Sequence, residues 1–329
     1  LSNNTFLGVC RSMLNWITLG GQNFVTVGTE LKYYLERGGV GVYYDITPVR
    51  ATNTLNNPFT TTSGSATVLV ADTTVSGLDL NGEYELARIN DTSYNITAAT
   101  NASSSATGGG TVSAEYQINV GSEVATPFNG FGASPWGFGG WGIGETSLAP
   151  IRLWSQANFG EDLILTFRGG PLFYWDANTG VSSRAVFVTS LAGASDVPTI
   201  VNSTMVSDIF RFAFCFGANG LGSSTLDPML IRWSDQEDVA NWTPAATNQA
   251  GSLRLSRGSE IVTTLQARQE VLIWTDTALY GMQYLGAPEV WGAQLLGDNI
   301  TIASPNAAVY SGNVAHWMGT DKFYSYDGT

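Results

Sequence analysis

Short runs of alternating hydrophobic and polar residues recur along the chain, and each run is followed by a turn and a second, aromatic run. β-branched and aromatic residues favour pleated strands, while the Gly, Asp and Thr residues between them favour turns. The pattern predicts antiparallel hairpins over residues 22–37, 161–178, 269–286 and 316–329. Hairpins repeated in this way build β-propellers, so we expect an all-β, propeller-like domain. An irregular β-sandwich is the alternative.

The composition changes after the first strands. Residues 52–124 are rich in Thr, Ser, Ala and Gly and contain Arg88 as their only basic residue. Their own strand signals are separated by Asn-Gly, Asn-Asp and Gly-Gly-Gly turns, which predicts a small β module inserted between blades. These signals fall at residues 66–70, 82–89, 94–97 and 111–118.

The chain is therefore divided into four parts. Residues 1–51 hold the first propeller strands, 52–124 the inserted β module, 125–147 a glycine- and aromatic-rich loop, and 148–329 the remaining blades. We expect the strands before and after the module to form one domain. Residues 298–310 are the one candidate for a short helical turn. The chain does not begin with Met and stops within a hairpin pattern, so we expect the natural protein to be longer.

The loop alternates aromatic residues with glycines and contains Trp136, Phe138 and Trp141. One interpretation is an apolar loop that contacts a partner, and these three rings are then candidate interface residues. The other is a surface loop that packs its rings on its own domain.

Charge narrows the range of partners. The net charge is −13, from 14 basic and 27 acidic residues, and Lys32 and Lys322 are the only lysines. No basic run is present, so the chain is expected to repel nucleic acid.

No apolar stretch approaches about 18 residues, so no membrane-spanning segment is expected. Cys10 and Cys215 are far apart in sequence, and Cys215 lies in an apolar run typical of a buried free thiol.

Catalytic motifs are missing from the sequence. His316, the only histidine, stands beside Trp317 in a predicted strand and has no partners for a Ser-His-Asp triad or a zinc site. The glycine motifs of phosphate-binding loops and the Gly-x-Ser-x-Gly motif of hydrolases do not occur. We therefore expect no catalytic residues, no cofactor, no metal and no enzymatic activity.

Paired carboxylates are candidate catalytic groups, because most glycosidases use two carboxylic acids that flank the scissile bond. The candidates are Glu161 with Asp162, and the group Asp235, Glu237 and Asp238. The latter run is loosely similar to the Ser-x-Asp-x-Gly-x-x-Trp turn of sialidases but lacks its glycine. Adjacent acids on a strand point to opposite faces and cannot flank one bond. We therefore favour capped turns between blades over a catalytic pair.

Several long stretches resemble one family, the tail nozzle proteins of short-tailed bacteriophages, also called tail tubular protein B-like proteins. The stretches are residues 150–180, 227–262 and 273–329, and residues 59–116 are similar to a β module often inserted in these proteins. The resemblance implies a structural virion protein of the phage tail, assembled in the host cytoplasm. It further implies a homohexameric ring below the tail adaptor protein ring, in contact with other tail proteins or fibres. Such a ring encloses the distal DNA-exit channel and takes part in genome retention and ejection.

An acidic chain suits this role, because a channel lined by few Lys and Arg residues lets double-stranded DNA pass without sequence-specific binding. Asp235, Glu237 and Asp238 are candidate lumen or interface residues on that basis. The alternative function is a carbohydrate-binding or glycan-cleaving tail protein that uses Trp and Tyr rings as sugar platforms. A rim pocket with two carboxylates flanking a bound glycan, or a trimeric rather than six-fold assembly, would distinguish it.

Overall fold

A computed structural model of the chain describes residues 5–56, 59–62, 65–67, 74–75, 77–80, 82–84, 87–89, 93–118, 151 and 153–328. The chain separates into two compact units, Leu1–Thr47 with Asn119–Thr329, and Pro48–Ile118. The aromatic loop at 125–147, with Trp136, Phe138 and Trp141, lies outside the described residues. Both interpretations of that loop therefore stay predictions.

The first unit begins with a four-stranded antiparallel sheet, blade 1. Its strands are β1 (Cys10–Ile17), β2 (Asn23–Thr29), β3 (Tyr33–Arg37) and β4 (Tyr43–Asp45). The predicted hairpin at 22–37 is confirmed as β2 and β3, which pair from Phe24 opposite Arg37 to Gly28 opposite Tyr33.

The second unit, the module, consists of short strands. They are β5 (Val49–Asn56), β6 (Phe59–Thr62), β7 (Ser65–Thr67), β8 (Thr74–Val75), β9 (Leu78–Asp79), β10 (Ala87–Arg88), β11 (Tyr94–Asn95), β12 (Ala106–Gly108) and β13 (Thr111–Gln117). The first and last strands, β5 and β13, are antiparallel partners. A small core of its own holds the module together and includes Leu78, Leu80, Ile96 and Val112.

Four further sheets complete the first unit. Blade 2 contains β14 (Trp154–Phe159), β15 (Asp162–Phe167), β16 (Phe173–Trp175) and β17 (Val186–Phe187); blade 3 contains β18 (Val201–Val206), β19 (Ala213–Asn219), β20 (Leu226–Trp233) and β21 (Gly251–Arg254). Blade 4 contains β22 (Ile261–Gln266), β23 (Val271–Thr275), β24 (Ala278–Gly286) and β25 (Val290–Asp298); blade 5 contains β26 (Ala308–Ser311), β27 (Val314–Met318) and β28 (Phe323–Tyr326).

These five antiparallel sheets form a five-bladed β-propeller arrangement, which confirms the predicted all-β fold with an inserted module. The first strands of successive blades lie against one another, β1 against β14, β14 against β18, and β22 against β26. In a propeller, the strands that meet in this way surround the central channel. Those five first strands carry one charged residue, Arg11.

The second strands of blades 2, 3 and 4 (β15, β19 and β23) are buried on both faces because their alternate side chains enter the cores on the two sides of each sheet. In β19, Phe214 and Phe216 pack toward blade 4, whereas Cys215 packs toward blade 2. In β23, Ile273 faces blade 3 and Trp274 faces blade 5. Burying one such side chain contributes about 1.5–3 kcal/mol, so the continuous apolar runs of these strands hold neighbouring blades together.

The junction of blades 1 and 2 joins segments that are separated by the module. The indole Nε1 of Trp154 donates to the carbonyl of Thr29 at 2.7 Å, and the Ala185 amide donates to the Ile46 carbonyl at 3.0 Å. A Cβ atom at Gly28 would lie 2.6 Å from the Trp154 ring, so only glycine lets that ring lie on β2. The strands before and after the module thus belong to one unit.

The prediction of a short helical turn at residues 298–310 is wrong. The segment holds a tight turn in which the Ala307 amide donates to the Ser304 carbonyl at 3.1 Å, followed directly by β26. Helical geometry in the described residues is limited to two 3-10 helices, Ala177–Thr179 and Val188–Ser190. Asp176 caps the first of these helices by accepting from the Asn178 amide at 2.8 Å. Because this contact is local and polar, the helix leaves no periodic pattern of hydrophobic residues in the sequence.

Candidate functional site

The acidic group at 235–238 lies in the turn between β20 and β21, inside blade 3. The prediction that this turn connects two blades is therefore wrong. Asp235 accepts from the amides of Gln236 and Gln249, each at 2.8 Å, and Asp238 accepts from the Ala240 amide at 2.9 Å. These two carboxylates are thus used as turn caps, as expected for short polar side chains beside free amides.

Two neighbours of the acidic group anchor the turn in the core. Ser234 is buried and its hydroxyl accepts from the Ala213 amide at 3.1 Å, while the buried indole of Trp242 donates to the Val239 carbonyl at 2.7 Å. Glu237 has φ +60° and an exposed carboxylate, with an Arg211 guanidinium nitrogen 3.5 Å away. A role of Asp235, Glu237 and Asp238 in a lumen or interface stays a prediction.

The other acidic pair, Glu161 and Asp162, divides between two structural tasks. Glu161 accepts from the Leu19 amide at 2.9 Å and so braces blade 1. Asp162 accepts from the Ala177 amide at 2.8 Å and from the Tyr174 hydroxyl. Burial, together with this carboxylate, raises the pKa of Tyr174. Glu161 lies in the turn between β14 and β15 and Asp162 begins β15, and the two carboxylates are directed to different partners.

His316 lies in β27 with an exposed side chain, opposite Val309 and Ser325. Cys10 is exposed, whereas Cys215 is a buried free thiol, as predicted, and burial raises its pKa well above the ordinary value. A raised thiol pKa leaves little thiolate, so Cys215 is not suited to nucleophilic chemistry. Among the residues that the structure describes, no three His, Cys, Asp or Glu side chains gather as a metal site.

A cleft between blades 4 and 5 was not predicted from the sequence. Its volume is about 700 Å³, and it is bounded by the β22–β23 turn, by β24 and β25, and in blade 5 by the β26–β27 turn and the end of β28. Polar residues of its wall include Arg268, Glu270, Gln283, Gln294, Tyr310, Tyr326 and Asp327. The signal for it in the sequence is the presence of Gly281 and Gly292 within strands, because glycine inside a strand marks a close approach of another group.

No protein-family model and no curated protein matches the chain. Among solved structures, the chain is similar to the phage phi92 endosialidase, with 12% sequence identity and a TM-score of 0.23. The similarity covers 95% of this chain and 44% of that protein, so the chain spans less than half of its length. A similarity at this level carries no argument about the activity of the chain. No helix within the described ranges is both long and apolar enough to cross a membrane.

Proposed function

We propose that the chain is a structural subunit of a phage tail nozzle ring that forms the distal DNA-exit channel. The observation that carries the proposal is the sequence resemblance over residues 150–180, 227–262 and 273–329. These stretches supply strands of blades 2, 3, 4 and 5. The residues that resemble nozzle proteins therefore build the propeller itself, as expected if the resemblance concerns the whole fold.

The chemistry of the described surface supports a structural role. The first strands of the five blades carry Ser, Thr, Asn and Gln side chains and one charged residue, Arg11. Acid–base catalysis requires a titratable group close to the substrate. Asp235 and Asp238, considered as part of a glycosidase pair, serve as turn caps. Glu161 and Asp162 brace neighbouring segments. These observations favour an assembly subunit over a hydrolase that would use these acids.

The position of the chain in the particle tests the proposal. Virions of the phage that encodes the chain are labelled with a gold-conjugated antibody against it and imaged by electron microscopy. We expect label at the distal tip of the tail and a six-fold ring in averaged end views. Label on lateral fibres or a three-fold assembly would contradict the nozzle role.

Glycan cleavage, the alternative, is tested with the purified chain. We expect no turnover of sialosides, neutral polysaccharides or peptides. Turnover that is abolished by Asp235→Asn or Glu237→Gln would instead establish a glycosidase at the blade 3 turn. Gln22→Ala, at an exposed position of blade 1, serves as the unaffected control.

A further inference from the structure

We propose that the cleft between blades 4 and 5 is a binding site for uncharged saccharides. The cleft lies within one compact unit and all of its walls belong to described residues. The inference rests on the shape and chemistry of the cleft and does not depend on the nozzle role. At about 700 Å³, the cleft falls within the range of about 300–1,000 Å³ that is usual for small-ligand sites.

The cleft opens because one face of blade 4 changes character along its strands. Leu272, Trp274 and Leu279 of this face pack against Ala315 and Trp317 of blade 5. Farther along β24 and β25, the positions on this same face, which recur every second residue, are occupied by glycine and glutamine. They are Gly281 opposite Gln294, and Gln283 opposite Gly292. The apolar part closes the two blades together, and the polar part leaves them apart.

The glycines set the depth of the cleft. A Cβ atom at Gly281 would lie 2.4 Å from Oε2 of Glu270, and one at Gly292 would lie 2.6 Å from Cδ1 of Leu285. Glycine at position 281 therefore lets the Glu270 carboxylate lie directly over β24. Any larger residue would displace this carboxylate.

The Glu270 carboxylate is held in place from two sides. Nε2 of Gln283 donates to Oε2 at 3.4 Å. On the side of blade 5, burial and the nearby charge of Glu270 raise the pKa of Tyr326. The hydroxyl of Tyr310 accepts from the Arg268 amide at 3.3 Å and fixes the turn that carries Glu270. The wall of the cleft thus carries hydrogen-bonding groups on strands β24 and β25 and on the β22–β23 turn.

This array matches the hydroxyl groups of a sugar. Each hydroxyl both donates and accepts, and the exposed amides of Gln283 and Gln294 offer a donor and an acceptor on one planar group. Carboxylate oxygens of Glu270 accept strong hydrogen bonds from hydroxyl donors. The half-buried rings of Tyr310 and Tyr326 provide apolar surface with a polar tip, which suits the C–H face of a pyranose.

The charge of the cleft selects among saccharides. Glu270 and Asp327 contribute two negative charges, and Arg268 contributes one positive charge. A sialic acid or another anionic sugar would meet net repulsion in this cleft. Neutral hexoses and N-acetylhexosamines carry no such penalty, so they are the class assigned to the site.

Isothermal titration calorimetry of the purified 329-residue chain tests the assignment with three named probes, maltotriose, chitotriose and sialyllactose. We expect saturable binding of maltotriose or chitotriose and no saturation with sialyllactose. Absence of saturable binding for both neutral probes up to 10 mM, about the limit for weak sites on the affinity scale, would overturn the proposal. Equal or tighter binding of sialyllactose would also overturn it.

Variants of the two exposed glutamines locate the site. The double variant Gln283→Ala/Gln294→Ala removes hydrogen-bonding groups from the wall without touching the buried core, and we expect affinity to fall about tenfold. Gln22→Ala, an exposed glutamine of blade 1, should leave affinity unchanged. Unfolding monitored by circular dichroism shows that each variant folds. An unchanged affinity in the folded double variant would place the sugar elsewhere and contradict the proposal.

Discussion

At the scale of single residues, Asp45 at the end of blade 1 is a largely buried charge held by two cations. Its carboxylate lies 2.8 Å from Nζ of Lys32 and 3.2 Å from a guanidinium nitrogen of Arg184, and the Lys32 and Asp45 side chains are only 10% and 13% exposed. Burial alone would raise the pKa of Asp45. The hydrogen bonds from Lys32 and Thr47 and the charge of Arg184 outweigh it, so the pKa lies below the ordinary value.

Replacing this carboxylate should destabilise the propeller unit. Asp45→Asn removes the carboxylate that pairs with the largely buried ammonium of Lys32 and with Arg184, which costs about 3 kcal/mol of unfolding free energy at pH 7. The measurement is chemical denaturation followed by tryptophan fluorescence. Asp227→Asn provides the control, because the Arg254–Asp227 pair has a similar distance of 2.7 Å but is 60% and 31% exposed. The control should lose less than about 1 kcal/mol.

The sign of the pH dependence follows from the lowered pKa. Because the folded pKa of Asp45 lies below the unfolded value of about 3.8, its contribution to stability is complete above that pH and is lost as the pH falls through the folded pKa. The difference in unfolding free energy between the native chain and Asp45→Asn should therefore shrink below about pH 4. A difference that stays constant down to pH 2.5 would contradict this role of the carboxylate.

At the scale of elements, the hairpins could be predicted because the signal for each is local. The β2–β3 and β23–β24 hairpins combine β-branched or aromatic strands with short turns, and both formed where the pattern placed them. For the blade 4–5 cleft, the local signal is limited to Gly281 and Gly292, which mark a close approach without naming the group that approaches. Glu270 and Tyr326 come together only because two separate blades pack side by side, which no period within one strand can express.

For the turn at 235–238, neighbouring residues in the sequence predict the caps, whereas the place of the turn in the sheet depends on a strand much farther along the chain. Its caps were predictable, since Asp and Asn beside free amides favour turns. Its position inside blade 3 depends on the fourth strand, β21, which begins only at Gly251 and pairs with β20 through Trp233 opposite Gly251. A 17-residue connection between Trp233 and Gly251 hides that pairing from any local pattern.

The module should be removable. Its first and last strands pair with each other, and the Ile118 amide donates to the Pro48 carbonyl at 3.3 Å, so the two ends of the insertion are adjacent. Replacement of residues 48–118 by a short Gly-Ser linker should therefore leave a soluble β-rich remainder. Circular dichroism and thermal unfolding of that protein are the measurements.

Deletion of a propeller blade is the control with which deletion of the module is compared. Removal of residues 201–254 deletes blade 3, including Phe214 and Phe216 of the core shared with blade 4, and cooperative unfolding should disappear. Aggregation of every module deletion, with linkers of several lengths, would show that the propeller unit needs the module to fold.

At the scale of the whole molecule, the basic side chains are few and many are already paired. Within the described part of the chain, at least seven of the 14 Lys and Arg residues lie between 2.7 and 3.7 Å from a carboxylate: Lys32, Arg184, Arg211, Arg232, Arg254, Arg257 and Lys322. Arg232 is buried as well, with its charge paired to Asp196 at 2.7 Å. A cation held by a carboxylate must give up that partner before it can bind a phosphate.

This distribution predicts weak contact with DNA. Each phosphate that a protein neutralises tightens binding at low salt, and a subunit that gripped DNA in this way would slow passage through a channel. With a net charge of −13 and at least seven cations of the described residues paired, the chain should bind a 30-base-pair duplex with a Kd weaker than about 10⁻⁶ M at physiological salt. Fluorescence anisotropy across a series of salt concentrations measures both the affinity and its salt dependence. Submicromolar binding that weakens steeply as salt rises would reveal a DNA-gripping surface and contradict a channel through which DNA slides.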